Sequence, residues 1–249
     1  MRKKAFNAEL MFDESNAAEL VLNFVKQGNS LPENCEKRVF DLPNAAEIIL
    51  EYVKQDHCLS NENDSLLYAL PNVMEIVPLY FKNVIFDEEG EAQIFSAPNA
   101  KALVLEYIKY NSFSEKGEEL MFALPEAGEV VLEYLKLGWS LFEDERVLCL
   151  ANAEECLPYF LERHSFPSFE FQKKMFAAEK ADKLVRIYVE KASYLASQLE
   201  IKLFDLPNAR EVIEIYISRN HLSFEAQAKL FALWVAAEEK LACKEDALM

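Results

Sequence analysis

The sequence has little of the material that sheets, disulfide frameworks and membrane spans require. Its 249 residues include 5 glycines and 9 prolines, too few for the many turns of a β-sandwich or β-barrel. No segment approaches the roughly 18 consecutive apolar residues of a transmembrane helix. The 5 cysteines are odd in number and lack CxxC spacing. They indicate free thiols in a reducing compartment, so we expect a cytoplasmic protein without a disulfide framework or a zinc site.

Positive charge is also scarce. The chain has 26 Lys and Arg against 43 Asp and Glu, which gives a formal net charge of -17. Such a chain repels nucleic-acid phosphates and anionic lipid surfaces, so we expect neither direct nucleic-acid binding nor membrane binding. Hydrophobic residues still make up 51% of the chain, enough to build a core.

What the sequence does contain is a repeat. The segment Phe40–Ala45 (Phe-Asp-Leu-Pro-Asn-Ala) returns unchanged as Phe204–Ala209, and related copies lie between them. Eight residues after each Asn-type position comes an aromatic residue, and successive aromatics are 26 to 28 residues apart. We call this series the aromatic column: Phe24, Tyr52, Tyr80, Tyr107, Tyr134, Phe160, Tyr188 and Tyr216. Its regularity shows that one structural unit recurs along the chain.

Each repeat is predicted to be two helices, named here the first and the second helix. The second begins after an Asn that stands three residues before a Glu, as in Asn44 and Glu47. This spacing predicts a capping box in which the Asn side chain accepts hydrogen bonds from first-turn amides. Apolar residues follow with helical periodicity. A connection of two or three residues predicts an antiparallel hairpin.

A hairpin of about 27 residues cannot bury its own apolar faces, but stacked copies can. The predicted fold is therefore all-α: a right-handed α-solenoid of about eight stacked αα-hairpins, forming a single domain over residues 1–249. A partial C-terminal capping repeat is expected to begin at Phe231. This architecture resembles the HEAT, armadillo and tetratricopeptide superfamily of helical repeats. The unit is shorter than theirs and lacks the tetratricopeptide Trp-Leu-Gly-Tyr pattern, so the resemblance implies no functional residue.

Two positions of the second helix are candidates for binding. Ten residues after the Asn-type position stands a lysine in five successive repeats, and four residues before it there is usually a leucine. They suggest an apolar groove edged by basic residues. Alternatively, the lysines form i,i+3 ion pairs, as with Glu51 and Lys54, and the leucines pack on the next hairpin. The candidate partner-binding residues, named here the lysine–leucine surface, are Leu50, Lys54, Lys82, Leu105, Lys109, Leu132 and Lys136.

The first helices carry an acidic row. Its members recur at one position of the repeat: Asp64, Glu91, Glu118, Asp144 and Glu200. We expect this row to be a solvated face, since helix exteriors are usually charged. As a functional face, it would attract a basic partner.

The sequence favours a non-catalytic scaffold that binds a protein or peptide along the second helices, on the concave face of the solenoid. An alternative of a different functional class is an acidic decoy that occupies a nucleic-acid-binding site on another protein. An enzyme ranks third, because no phosphate-binding loop, HExxH or GxSxG motif occurs. His57, His164 and His221 belong to different repeats and are predicted to lie tens of ångströms apart. We therefore expect no cofactor, metal site or catalytic residue.

Overall fold

The protein is helical throughout the part of the chain that can be described. The computed structural model describes residues 8–60, 62–142, 145–164, 166–192 and 194–246, the last ten through their backbone only. All regular elements among these residues are helices, as predicted, and none is a strand. None of the described helices combines the length and apolar character needed to cross a membrane.

The chain divides into two compact units, Met1–Leu137 and Gly138–Met249, each described here by itself. In chain order the first contains a 3₁₀ helix (Ala8–Asp13), α1 (Ala17–Lys26), α2 (Glu33–Val39), α3 (Ala45–Lys54), α4 (Asp64–Leu67), α5 (Val73–Tyr80), α6 (Glu88–Ser96), α7 (Ala100–Tyr107), α8 (Glu115–Ala123) and α9 (Ala127–Lys136). The odd-numbered helices are second helices, and the 3₁₀ helix and the even-numbered helices are first helices.

The second unit, Gly138–Met249, repeats this alternation. It contains a 3₁₀ helix (Glu145–Cys149), α10 (Ala153–Arg163), α11 (Phe169–Ala177), α12 (Ala181–Lys191), α13 (Ser197–Glu200), a 3₁₀ helix (Ile201–Asp205), α14 (Ala209–Ile217) and α15 (Phe224–Asp246). Here α10, α12 and α14 are the second helices. The repeat therefore marks recurring helix pairs in both units.

Within each unit, a second helix packs against the second helices of the neighbouring pairs. In Met1–Leu137 the order of contact is α1, α3, α5, α7 and α9, and in Gly138–Met249 it is α10, α12 and α14. Every member of the aromatic column except the half-buried Phe24 is buried. Its rings meet aromatic residues at the start of first helices, as with Phe113 and Tyr134, whose ring centroids lie 6.0 Å apart. Burial of these rings stabilises each pair through the hydrophobic effect.

The capping-box prediction is wrong in its hydrogen bonds. No Asn side chain at the start of a described second helix caps its own helix. The backbone carbonyl of Asn44 already accepts from the amides of Glu47 and Ile48, which leaves the Asn side chain available for another contact. Asn44 Nδ2 instead donates to Ala18 O on the preceding second helix, at 3.1 Å. Asn72 and Asn208 bind Ala46 O and Asp182 O in the same way, so the Asn joins neighbouring pairs.

The end of the chain also differs from the prediction. A partial repeat was expected to begin at Phe231, but Phe224–Asp246 is one continuous helix. The reason is local: the Leu-Pro-Asn turn of other repeats is replaced by Leu233-Trp234-Val235. Without proline, no residue is held out of the helical region and no amide is removed, so the helix continues.

Candidate protein-binding surface

The structure places the lysine–leucine surface on α3, α7 and α9, together with Lys82 and Lys109, which follow α5 and α7. Leu50, Leu105 and Leu132 are half-buried, so their side chains partly pack on neighbouring helices and partly face solvent. The four lysines are exposed. Because these second helices are packed in sequence, the residues form one row along Met1–Leu137.

Most of these lysines have acidic neighbours on the same helix turn. Lys109 Nζ lies 2.5 Å from a carboxylate oxygen of Glu106, and Lys136 Nζ lies 2.8 Å from Glu133. Lys54 is paired more loosely with Glu51, at 3.9 Å. Lys82 has no ion-pair partner among the described residues. The i,i+3 pairs expected from the sequence therefore form, and exposed pairs of this kind contribute little to stability.

Apolar side chains are exposed beside the lysines. Met74 and Leu79 of α5 are both more than a third exposed. A surface pocket of about 530 Å³ opens beside Leu105, between the turns that precede α7 and α9. Pro98 and Pro125 of those turns line it together with Phe95. This part of the surface thus offers apolar contact area edged by cations.

The equivalent surface of Gly138–Met249 has a different character. Where α3, α7 and α9 carry leucine, α12 carries Arg186, which pairs with Glu211 of α14 at 3.1 Å. Glu154 of α10 pairs with Lys183 of α12 at 3.2 Å, and Lys191 lies 3.8 Å from Glu162. Ion pairs therefore cover these second helices, and the leucine row is confined to Met1–Leu137.

The expectation that the acidic row is solvated is wrong for every member that the structure describes. Asp64, Glu91, Glu118 and Glu200 are each at most 3% exposed, and Glu36 on α2 is buried in the same way. Asp144 lies outside the described residues. An ionised carboxylate is costly to bury unless it receives hydrogen bonds, so each of these groups needs donors. The described members of the acidic row therefore do not form a continuous solvated face.

The donors come from the start of the next first helix. Glu91 accepts from the Ser114 amide at 2.9 Å and from the Ser114 hydroxyl at 2.5 Å. Glu36 accepts from the same two groups of Ser60, at 2.8 and 2.9 Å. In the second unit, Glu200 accepts from the Ser223 amide at 2.6 Å. These carboxylates hold consecutive helix pairs together.

Tyrosine hydroxyls of the aromatic column complete the buried network. The Tyr134 hydroxyl accepts from the Phe113 amide at 3.1 Å and contacts Glu118 at 3.4 Å. Tyr216 donates to Glu200 at 2.9 Å. Burial raises the pKa of the Tyr134 and Tyr216 hydroxyls, so both remain protonated donors. Sequence reasoning missed this network, although the acid, serine and tyrosine positions recur in register.

A glycine makes one of these carboxylate contacts possible. Gly117 lies in the first turn of α8, and a Cβ atom there would collide with the Glu91 carboxylate and with the Phe113 ring. Its amide donates to the Ser114 hydroxyl at 3.1 Å. The missing side chain thus allows the carboxylate of one pair to approach the helix start of the next.

Two of the three histidines, His57 and His164, are part of this packing. His57 lies against Tyr52, with ring centroids 4.7 Å apart, and His164 stacks on Phe160 at 4.3 Å. Among the described residues, no three His, Cys, Asp or Glu side chains are grouped so that they could hold a metal ion.

Comparisons with known proteins add no identification. The chain matches no protein-family model, and searches of curated proteins and of solved structures found no match. The function must therefore be argued from the surface itself.

Proposed function

We propose that this protein is a non-catalytic scaffold that binds a protein or an extended peptide on the lysine–leucine surface of Met1–Leu137. In this proposal its helix pairs are repeats of a right-handed α-solenoid, whose second helices line the concave face. Folds of this kind bind partners through extended surfaces rather than through one enclosed cleft.

The observation that supports the proposal most is the contrast between the two units. Ion pairs link second helices in both units. In Met1–Leu137, however, half-buried leucines are followed four residues later by exposed lysines, whereas the same two positions of α12 carry Arg186 and Glu190. Apolar area edged by charge is typical of interfaces, with the charged residues at the rim. The pocket beside Leu105 would receive an apolar side chain of the partner.

The acidic-decoy alternative has less support. It was based on the net charge of -17 and on the acidic row, and the described members of that row are buried. Only the net charge favours it. The decoy and the scaffold still predict opposite responses when the lysines become acidic.

Charge reversal tests the proposal. A partner is first captured from the source cells with the full chain, identified by mass spectrometry and purified. Its Kd is then measured for the wild type and for a variant in which Lys54, Lys82, Lys109 and Lys136 are replaced by Glu. We expect binding to weaken by about tenfold or more, since the cationic rim becomes anionic.

A matched variant controls for net charge. Lys37, Lys116, Lys173 and Lys202 are exposed residues of the first helices, and their replacement by Glu changes the charge equally. We expect this variant to bind the partner as the wild type does. Retained or strengthened binding by the first variant would contradict the proposal and favour the decoy.

A further inference from the structure

One junction departs from the carboxylate pattern of the others. Asp64 is one methylene shorter than Glu36 or Glu91, and the residue that faces it at the start of the next first helix is Asp87 instead of serine. The Tyr80 hydroxyl donates to Asp64 Oδ1. Asp64 is only 2% exposed.

A pocket of about 420 Å³ occupies this junction, and Asp64 lines it. Asp87, Glu62 and Glu89 add three further carboxylates around it. One oxygen of Asp87 accepts from the Gly90 amide, which caps α6. Phe86 and the strongly exposed Ile85 provide an apolar wall.

A second acceptor in the same pocket, besides the Asp64 carboxylate, belongs to Gln93. Gln93 lines the pocket, and its Oε1 atom is buried without a hydrogen-bond partner in the described chain. A buried acceptor without a donor costs free energy, and a buried carboxylate costs more. The two acceptors therefore favour a ligand that supplies several N–H groups and positive charge.

We propose that this pocket binds the guanidinium group of an arginine side chain from a second protein. A guanidinium is planar, permanently charged and carries five N–H donors, so it can serve several acceptors at once while its faces lie against Phe86 and Ile85. A metal ion fits less well, because the described carboxylates are not grouped as metal ligands. The site lies at the starts of first helices, so the proposal is independent of the lysine–leucine surface.

The charge state of Asp64 supports this assignment. The pKa of Asp64 is raised to about 6, chiefly by burial and also by the nearby carboxylates of Glu36 and Asp87, against the lowering effect of the Tyr80 hydrogen bond. Burial, and then the charges of Asp64 and Asp56, raise the pKa of the nearby Cys58 thiol. A bound guanidinium would favour the ionised carboxylate, so binding and protonation compete. Near neutral pH the pocket is anionic, and below pH 6 Asp64 becomes neutral.

Titration of the full chain with N-acetyl-arginine-N-methylamide tests the proposal. We expect saturable binding at pH 7.5, monitored through the changes in the NMR chemical shifts of residues 62–64 and 85–93. The Asp64→Asn variant keeps an acceptor for Tyr80 but loses the charge, and should bind about tenfold more weakly. Gln93→Leu should weaken binding without changing charge. Glu118→Gln, at the equivalent position two junctions away, should bind as the wild type.

The competing outcomes are distinct. The corresponding lysine amide should bind more weakly than the arginine amide, and binding at pH 5 should be about tenfold weaker than at pH 7.5. Tighter binding of free arginine than of the capped amide would assign the pocket to a small amino acid, since the acidic rim repels a free carboxylate. That result would overturn the proposal, as would absence of saturable binding or equal affinity for Asp64→Asn.

Discussion

Asp64 illustrates, at the scale of a residue, how the buried network depends on its donors. Glu91 receives two hydrogen bonds from Ser114, and Glu36 receives two from Ser60. Asp64 receives one, from Tyr80, and faces a second aspartate. The cost of burying the Asp64 carboxylate is therefore offset by fewer hydrogen bonds than the cost of burying Glu36 or Glu91.

The first prediction concerns the pH dependence of stability. Because the pKa of Asp64 is raised from 3.8 to about 6 in the folded state, the folded protein binds this proton more tightly than the unfolded chain. Stability from this group therefore rises as pH falls through about 6 and is lowest well above it. Relative to a fully protonated Asp64, the raised pKa lowers the free energy of unfolding by about 3 kcal/mol at pH 7.5 and by about half of that at pH 5.

Asp64→Asn removes the charge and keeps an acceptor for Tyr80. We expect the variant to unfold at higher urea concentration than the wild type at pH 7.5, with about 2 kcal/mol more stability. The difference should shrink by about 1 kcal/mol at pH 5, because the wild-type carboxyl is then largely protonated. A variant that is less stable than the wild type at pH 7.5 would show that the Asp64 charge is well compensated.

The acidic row is an example of residues whose structural role could not be predicted from the sequence. A charge on a helix is usually solvated, and one sequence gives no distance between Glu91 and Ser114, which are 23 positions apart. The lysines of the lysine–leucine surface are exposed, as long cationic side chains usually are. The acidic residues are buried because their hydrogen-bond donors lie on another helix pair, and the periodicity of the sequence does not locate those donors.

At the scale of elements, tyrosines of the aromatic column connect the two helices of a pair. The Tyr134 hydroxyl lies on α9, and it forms hydrogen bonds with the Phe113 amide, just before α8, and with Glu118 within α8. Without this hydroxyl, a buried amide and a buried carboxylate lose a partner. The hydroxyl thus fixes the register of the second helix against the first.

Replacement of Tyr134 by Phe tests this role. We expect a loss of about 1–2 kcal/mol in the free energy of unfolding, because two buried polar groups lose a hydrogen-bond partner while the ring stays in place. Chemical denaturation measures the loss. The control is Tyr110→Phe, whose ring is 40% exposed and which should change stability little. Equal stability of the two variants would contradict the role assigned to Tyr134.

The helices themselves were more predictable than their contacts. The spacing of apolar residues correctly predicted helical structure, because a buried stripe requires a 3.6-residue period. The Asn side chains were misassigned because a capping pattern does not reveal whether backbone carbonyls already serve the first-turn amides. For α15, the absence of proline near Phe231 was a signal in the sequence that the repeat alignment obscured.

At the scale of the molecule, the central claim is that the helix pairs are interchangeable repeats, each stabilised by its immediate neighbours. The principal helix contacts within each compact unit join the members of a pair or adjacent pairs. In such a chain, stability is a sum of repeat and interface contributions. Removal of one complete repeat should therefore leave the others able to pack.

The most direct test is deletion of residues 87–113, which removes α6 and α7 and joins Phe86 to Ser114. Ser114 then takes the place of Asp87 beside Asp64, and α8 and α9 take the places of α6 and α7. The control deletion, residues 87–99, removes α6 and leaves α7 without its first helix. Both proteins are compared with the full chain by circular dichroism and thermal unfolding. The account predicts that the 87–113 deletion keeps its helicity per residue and unfolds in one cooperative transition, whereas the shorter deletion does not. Loss of cooperative unfolding in the 87–113 deletion would contradict the repeat account.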